Sequence, residues 1–545
     1  MNNHKPKLEL TWIGKGEQPK LEPRILIEDP SKSYGDKNAE NMLIYGDNLL
    51  ALKALEQDFT GKIKCIYIDP PYNTGSAFEH YDDSLEHSIW LSLIRDRIVL
   101  LHRLLRSDGF IFIQIDNNEM AYLKVIMDEV FGRNNFINDI IWKRRGGSAN
   151  PNNRLNNVTD FMLWYSKSQA YEINQIYSLE DENTKKYIEE RFINIDEKGR
   201  KFMKSPLQSP NPRPNLMYDY KGYKTPKNGW SISKSLMEEW DRQGKLWFPE
   251  DKNQNINRKI YLDEYKGQPV ANLWTDIKVI NPMSKERYDF DGQKPEQLIE
   301  RVLILATQEG DWVLDSFLGS GSTASVAHKM KRKWIGIELG DHCHSHCIPR
   351  LQMVCNGTDQ GGISKAQNWK GGGGFKYYYL APSLLKQDSR GNWIISKEYN
   401  AAQLAAAMAK HEGFRFMPDE TYYWKQGKST EKDFIFTTTN FASVEFIDTI
   451  HGEMKSDESL LICCTSFSKA ADKYPNITIK KIPKMLLGKC EFGKEDYSLN
   501  IINMPQENDD PDFVPSGPIA SNKPKEKKKD SATDDLFTGA KGGKK

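Results

Sequence analysis

Cys65-Ile66-Tyr67-Ile68-Asp69-Pro70-Pro71-Tyr72-Asn73-Thr74-Gly75 is the stretch on which the rest of the chain can be hung. Residues 66–68 form a short β-branched and aromatic run, the pattern of a buried strand, and it ends on Asp69. Two prolines follow. Neither has a backbone N–H to give, and the second keeps the first out of the helical region, so the chain turns. The strand thus delivers to its carboxyl end a carboxylate, a backbone carbonyl that no neighbouring strand claims, and an aromatic ring. Open α/β sheets hold their ligands at that edge. A tight turn that merely carries these four residues is the plainer reading, and the surrounding pattern has to decide.

Just upstream, Asn41-Met42-Leu43-Ile44-Tyr45-Gly46-Asp47-Asn48 reads as a strand stopped by Gly46. A helix follows to Phe59, with Asp47 and Asn48 as capping residues. Downstream, residues 76–81 read as a loop beside the site. Residues 84–106 carry apolar side chains at helical spacing, among them Ile89, Leu93, Ile94 and Ile98. Ser107-Asp108-Gly109 is expected to end that helix, residues 110–115 to form the next buried strand, and residues 116–131 another helix. Strand and helix alternate, as in a parallel α/β sheet.

The pattern resumes far along the chain. In Asp311-Trp312-Val313-Leu314-Asp315-Ser316-Phe317-Leu318-Gly319-Ser320-Gly321-Ser322-Thr323 a strand meets a glycine-bearing turn and then a helix. Glycines let the backbone approach a ligand where a side chain would collide. Residues 334–337 form the next strand and end on Glu338, an acid placed to bind ribose hydroxyls as in dinucleotide folds. The third glycine of the dinucleotide fingerprint is absent. Upstream, Gln293-Lys294-Pro295-Glu296-Gln297 opens a helix with Pro in its first turn, by itself an amphipathic packing helix.

Asp69-Pro70-Pro71-Tyr72 resembles the catalytic motif of DNA amino-methyltransferases, and Phe317-Leu318-Gly319-Ser320-Gly321 is similar to their S-adenosylmethionine motif. The catalytic segment comes first and the glycines last. That order resembles the circularly permuted β-class, especially the modification subunits of type III restriction-modification systems, over roughly residues 41–340. The resemblance implies a Rossmann-like α/β methyltransferase fold, circularly permuted. It also implies a chain that methylates adenine N6 in a short sequence of double-stranded DNA with S-adenosylmethionine as cofactor. Asp69, Pro70, Pro71 and Tyr72 would be catalytic. Asp47, near the cofactor's adenine amino group, Lys294, near its methionine part, and Asp315, Phe317, Gly319, Gly321, Thr323 and Glu338 would bind the cofactor. A flipped base would stack on Tyr72 while Asp69 and the Pro70 carbonyl accept from its amino group. Asp at the first motif position favours adenine, since Ser is commoner in cytosine-N4 enzymes of the family. Cytosine N4 is the alternative target. A non-catalytic DNA specificity subunit predicts damage in one motif, and both are intact. Methylases of protein glutamines carry a related turn but place their glycines first. Asn272-Leu273-Trp274-Thr275-Asp276-Ile277 and Thr159-Asp160-Phe161-Met162-Leu163-Trp164-Tyr165 also resemble family segments, the latter departing from a usual His-Asp-Tyr.

Six regions follow. Residues 1–40 read as a flexible arm, 41–140 as the catalytic half, 141–270 as an inserted target-recognition region and 271–360 as the cofactor half. Residues 375–505 read as an accessory α/β domain, with a helix near 401–410 and strands near 434–437, 460–464 and 477–482. Residues 506–545 read as a disordered Lys-rich tail. Within 141–270, aromatic and basic residues interleave. Lys143, Arg144, Arg145 and Arg154 are candidate DNA contacts, against the plainer reading of a solvated insertion. The accessory domain carries no chemical motif and could bind a partner subunit, DNA or a second copy of the chain. A restriction subunit with helicase and nuclease activity is implied by the resemblance only.

The 545 residues carry a formal net charge of +1, so any nucleic-acid surface must concentrate its cations locally. No apolar run approaches a membrane span, and no signal-peptide core is visible at the start. The seven cysteines are most simply reduced thiols of a cytoplasmic protein, and the resemblance implies a prokaryotic one acting at the nucleoid. In Asp341-His342-Cys343-His344-Ser345-His346-Cys347, with Cys355 beyond, His and Cys at i, i+4 could share a helical face, but no paired Cys-x-x-Cys completes a zinc site, and no metal is expected.

Overall fold

The computed structural model describes residues 9–71, 77–78, 81–82, 87–144, 155, 157–179, 182–281, 283–290 and 292–497. The expected tail, 506–545, lies outside them. Strands β1 (Leu26–Glu28), β2 (Met42–Tyr45), β3 (Ile63–Ile68), β4 (Leu105–Ile115), β5 (Phe136–Lys143), β6 (Thr159–Ser166), β7 (Leu273–Trp274), β8 (Trp312–Asp315), β9 (Lys333–Glu338) and β10 (Gly374–Leu380) share one sheet. Their spatial order is β1-β10-β2-β9-β8-β3-β4-β6-β5-β7. From β10 across to β4 every pair is parallel, while β6 runs antiparallel to both its neighbours. The early strands β2, β3 and β4 interleave with the late strands β8, β9 and β10. Val313 lies opposite Cys65 and Leu314 opposite Ile66, so the two halves meet at β3 and β8.

Strand alternation divides the core in two. Leu43, Cys65, Tyr67, Phe110, Phe112 and Val313 face one side, under α4 (Glu296–Ala306), α5 (Ser322–Lys329) and α6 (Ile348–Asn356). Ile44, Ile66, Ile68, Ile111, Ile113 and Leu314 face the other, under α1 (Asn48–Phe59), α2 (His87–Leu104) and α3 (Met120–Phe131). All six positions of β3 are buried. Its Lys64 is accommodated because the ammonium donates to the Asp108 carbonyl at 2.6 Å and pairs with that residue's carboxylate at 3.0 Å.

Several expected boundaries move. The described part of the arm, from residue 9, packs on the rest of the chain. Trp12 donates to Ser92 Oγ at 2.8 Å, and β1 pairs with β10 along the sheet edge. Its polar composition hid buried Glu22 and Arg24, which pair with each other at 3.3 Å. Helix α2 does stop before Gly109, but β4 starts at once at Leu105, opposite Ile63. The run 374–380 is a strand, yet it joins the main sheet between β1 and β2, so the accessory unit starts after Leu380. Likewise β5 and β6 belong to the main sheet, which shortens the insertion at its start.

What remains of the insertion folds around an antiparallel sheet of Asn194–Ile195, Lys201–Pro206, Asn257–Tyr261 and Leu246–Trp247, with its own core about Trp230 and Met237. Its aromatic and basic residues partly satisfy one another: Lys204 sits 3.5 Å from the Trp247 ring centre and Arg258 4.3 Å from that of Trp240. Residues 381–497 contain α7 (Ala401–His411) and α8 (Val444–Glu453). They also contain a five-stranded sheet whose parallel part is β11 (Asp433–Ala442), β12 (Ser459–Phe467) and β13 (Ile477–Lys481).

Candidate functional site

Because β3 and β8 are adjacent and parallel, Asp69 and the glycine turn after Asp315 leave the sheet along one edge. Tyr67 lies on the α4 face, and alternation puts Asp69 on the same side. Lys294, one residue before the cap of α4, pairs its ammonium with the Asp69 carboxylate and donates to the Gly292 carbonyl at 3.1 Å. The two side chains are 12 % and 20 % exposed, so the pair is half-sheltered rather than sealed. From the opposite face Trp90 on α2 donates to the Pro71 carbonyl at 2.7 Å, which fixes the Pro70-Pro71 turn. Tyr72 lies outside the described residues.

Gly319 and Gly321 have φ of +57° and +80°, a region that favours glycine, and a side chain at Gly319 would meet the Phe290 ring at 3.3 Å. The turn is braced from beneath. Glu338 accepts from the amides of Gly319 (2.7 Å), Leu339 (2.8 Å) and Gly340 (3.0 Å). Arg350 donates to the Ser320 carbonyl at 3.2 Å, to Ser322 Oγ at 2.8 Å and to Glu296 at 2.8 Å. Cys347 Sγ donates to the Gly319 carbonyl at 3.0 Å. Asp315 accepts from Thr323 Oγ1 at 2.6 Å and from the Phe317 amide at 2.9 Å. Burial pushes the Asp315 carboxyl up to about 7; its two donors oppose the rise, while Asp69 and Glu338 add to it. Burial also works to raise Glu338, but His342 and the backbone donors hold it below the usual carboxylate range.

Two expected cofactor contacts have partners inside the protein. Glu338 is folded under the turn it was expected to face. Asp47, 1 % exposed, caps α1 through the Leu50 amide at 3.0 Å, accepts from the Tyr497 amide at 3.0 Å and lies 3.5 Å from Arg97. Asn48 donates to the Ser316 carbonyl at 2.7 Å, so this segment supports the glycine turn. The plain capping reading describes Asp47. Of the candidate DNA contacts, Lys143 is exposed at the end of β5. Arg144 instead turns inward, its Nε 3.2 Å from the Asp160 carboxylate. Arg145 and Arg154 lie outside the described residues.

The Gln114 amide donates to the Asp160 carboxylate at 3.1 Å, a pairing between β4 and β6 that the sequence reading did not foresee. A glutamine within the apolar run Phe110-Ile111-Phe112-Ile113-Gln114-Ile115 was the available signal, because a buried amide must find a partner. The Asp276 segment gains a structural role: Asp276 pairs with Arg301 of α4, and the Trp142 indole donates to the Ile277 carbonyl at 2.8 Å. The His/Cys stretch is a π-helical turn whose side chains diverge, His344 to Tyr377 Oη at 2.8 Å and His346 to the Asp289 carbonyl at 2.9 Å.

Chemically, the edge sets Asp69, paired with Lys294, close enough to Asp315 and Glu338 for the charges of both acids to act on the Asp315 carboxyl. At the start of the turn Ser316 Oγ is buried and has no hydrogen-bond partner among the described residues.

The family model for DNA methylases matches residues 63–347. The chain is 35 % identical over 411 residues to the probable type III restriction-modification enzyme HindVI Mod subunit of Haemophilus influenzae, covering 63 % of this chain and 54 % of that one. It is 30 % identical over 331 residues to the StyLTI Mod subunit of Salmonella typhimurium, covering 53 % and 50 %. The chain thus spans about half the length of these curated relatives. A crystal structure of an M1.HpyAVI–SAM complex aligns over 57 % of this chain and 98 % of its own, at 18 % identity and a TM-score of 0.31. Matched across more than half its length, from the first residue of β3 through the turn that braces the glycines, this chain belongs to the DNA methylase family.

Proposed function

We propose that the chain is a site-specific DNA methyltransferase that transfers a methyl group from S-adenosylmethionine to adenine N6 in double-stranded DNA. The observation that carries this reading is the meeting of β3 and β8, which sets Asp69 and the positive-φ glycine turn on one edge of the sheet. The chain could hold the cofactor through Ser316, Phe317, Gly319 and Gly321, with Lys294 toward its carboxylate, while Asp315, Thr323 and Glu338 shape the turn. When bound, S-adenosylmethionine supplies an electrophilic methyl and departs as a neutral thioether. Asp69 and the Pro70 carbonyl accept hydrogen bonds from the two amino hydrogens, which leaves electron density on the attacking nitrogen and stabilises the positive charge that develops there; one of those protons then leaves the methylated amine by way of Asp69 to solvent. Fixing both acceptors beforehand supplies the orientation term, and Tyr72 is the proposed stacking surface for the flipped base.

The antiparallel insertion, with the segment between β5 and β6, is the part we assign to reading DNA. Two relatives named as Mod subunits support a place in a type III restriction-modification system, with a separate restriction subunit as partner. The role of residues 381–497 within it is interaction, with that partner or with a second copy.

The test is modified-base sequencing of DNA from cells making the protein beside cells making Asp69→Ala. N6-methyladenine in one short motif, seen only with the unaltered protein, is expected. N4-methylcytosine would move the target to the alternative base. A purified chain that fails to bind S-adenosylmethionine would sink the reading.

A further inference from the structure

Trp90 and Arg97 stand seven residues apart on α2, about 20° short of two full turns, so both side chains leave the same face of the helix. Both are buried. The Trp90 indole donates to the Pro71 carbonyl at 2.7 Å, on the catalytic turn. The Arg97 guanidinium donates to Asn48 Oδ1 and to the Leu93 carbonyl at 3.0 Å, and lies 3.5 Å from Asp47. Asn48 passes the contact on, since its Nδ2 donates to the Ser316 carbonyl at 2.7 Å, at the head of the glycine turn. One face of one helix therefore reaches both turns, Pro71 directly and Ser316 through a single side chain.

The sheet alone does not fix the gap between those turns. The pairing of β3 with β8 ends at Ile66 opposite Leu314, short of Asp69 on one strand and of Ser316 on the other. Group transfer needs the reacting atoms about 3–3.5 Å apart and aligned, and a misplacement of about 1 Å can cost about 100-fold in rate. A support shared by both turns supplies that precision. Arg97 is the telling part of it. The buried face of α2 is otherwise apolar, with Trp90, Leu93, Ile94 and Leu101, and a leucine or methionine at 97 would fill the space without desolvating a charge. What the guanidinium adds is orientation. It can only donate and the Ser316 carbonyl can only accept, so the Asn48 amide has one way to lie between them.

We propose that Trp90 and Arg97 are positioning residues for methyl transfer: one face of α2 is a brace that sets the spacing between the Pro70-Pro71 turn, on the side of the acceptor amine, and the glycine turn, on the side of the methyl donor. The inference rests on the methyltransferase reading above. Neither residue touches substrate or cofactor in this scheme. Trp90 acts through the Pro71 carbonyl, and Arg97 acts through Asn48 and the Ser316 carbonyl.

The experiment compares the full-length chain with Trp90→Phe, Asn48→Asp and the double variant. Calorimetry measures S-adenosylmethionine binding, and labelled cofactor at saturation measures single-turnover methyl transfer to unmodified duplex DNA with enzyme in excess. Trp90→Phe keeps an aromatic ring and removes the N–H donor. Asn48→Asp keeps an acceptor for Arg97 and suits the first turn of α1, but it puts an acceptor where the Ser316 carbonyl needs a donor. Trp90→Phe is expected to slow the single turnover about tenfold, with cofactor affinity within about twofold of the unaltered chain. Asn48→Asp should slow it about tenfold and also weaken cofactor binding about fivefold to tenfold. The double variant should lose less than the product of the two, because a brace loosened at one end has little spacing left to set at the other. The single-turnover rate constant belongs to the loaded complex, so a merely structural role, which lowers the amount of folded protein, would not move it. Rate constants within about twofold of the unaltered chain in both single variants, or losses that multiply in the double variant, would overturn the proposal alone. An unaltered chain that neither binds S-adenosylmethionine nor methylates DNA would overturn the methyltransferase reading and this inference together.

Discussion

At the scale of single residues, burial pushes the Asp315 carboxyl up to about 7, so its charge depends on pH near neutrality. The sign for folding is fixed: a carboxyl raised on folding contributes stability at low pH, and that contribution is lost as pH rises through about 7. Binding of a sulfonium runs the other way, because below that pH Asp315 must first lose its proton. Affinity for S-adenosylmethionine should therefore tighten, by at most about tenfold per pH unit, between pH 5 and about 7, then level off. Asp315→Asn should abolish the slope, and calorimetry in buffers of different ionisation enthalpy would detect the released proton. Residues differ in how legible they were. Asp69 could be read because two prolines leave the backbone nowhere else to go. Asp160 and Gln114 could not, because their meaning depends on which strand lies beside which. Asp47 and Glu338 were placed correctly at strand ends, but which way a carboxylate turns is settled by nearby amides such as those of Gly319 and Tyr497.

At the scale of elements, the glycine turn rests on a buried ion network. Glu296 opens α4, and its carboxylate receives Lys329 of α5 at 2.7 Å and Arg350 of α6 at 2.8 Å, so three helices are tied together under one loop. Arg350→Met should destabilise the fold by about 3–5 kcal/mol, because it strips a donor set from a carboxylate without solvent. The urea midpoint measures this, and adding Glu296→Gln should recover part of the loss. The alternation of strands and helices was readable because its periodicities are local. The start of β4 was not: Ser107-Asp108-Gly109 has the composition of a stop, yet Asp108 is held by Lys64 and Arg106, and the strand passes straight through it. For β10 the aromatic run announced a strand, but nothing local says that it seats between β1 and β2.

At the scale of the whole molecule, the described arm ties the accessory unit to the sheet. Glu22 accepts from the Leu384 amide at 2.7 Å and from Ser383 Oγ at 2.8 Å, while Arg24 donates to the carbonyls of Ala381 (3.2 Å) and Lys494 (2.7 Å). Arg24→Ala should loosen residues 381–497 by about 3–5 kcal/mol, since it leaves Glu22 buried without its cation. Limited proteolysis should then cut within those residues sooner than in the unaltered protein, with the main sheet still protected. The interleaving of early and late strands also sets a clock. Asp69 and the glycine turn are separated by roughly 250 residues of chain, which a ribosome adds in roughly 12–50 s at about 5–20 residues per second. Until β8 emerges, β3 waits with one long edge unpaired, the situation in which nascent chains recruit chaperones. Every new molecule thus spends much of its own translation without the edge on which Asp69 and the glycine turn meet.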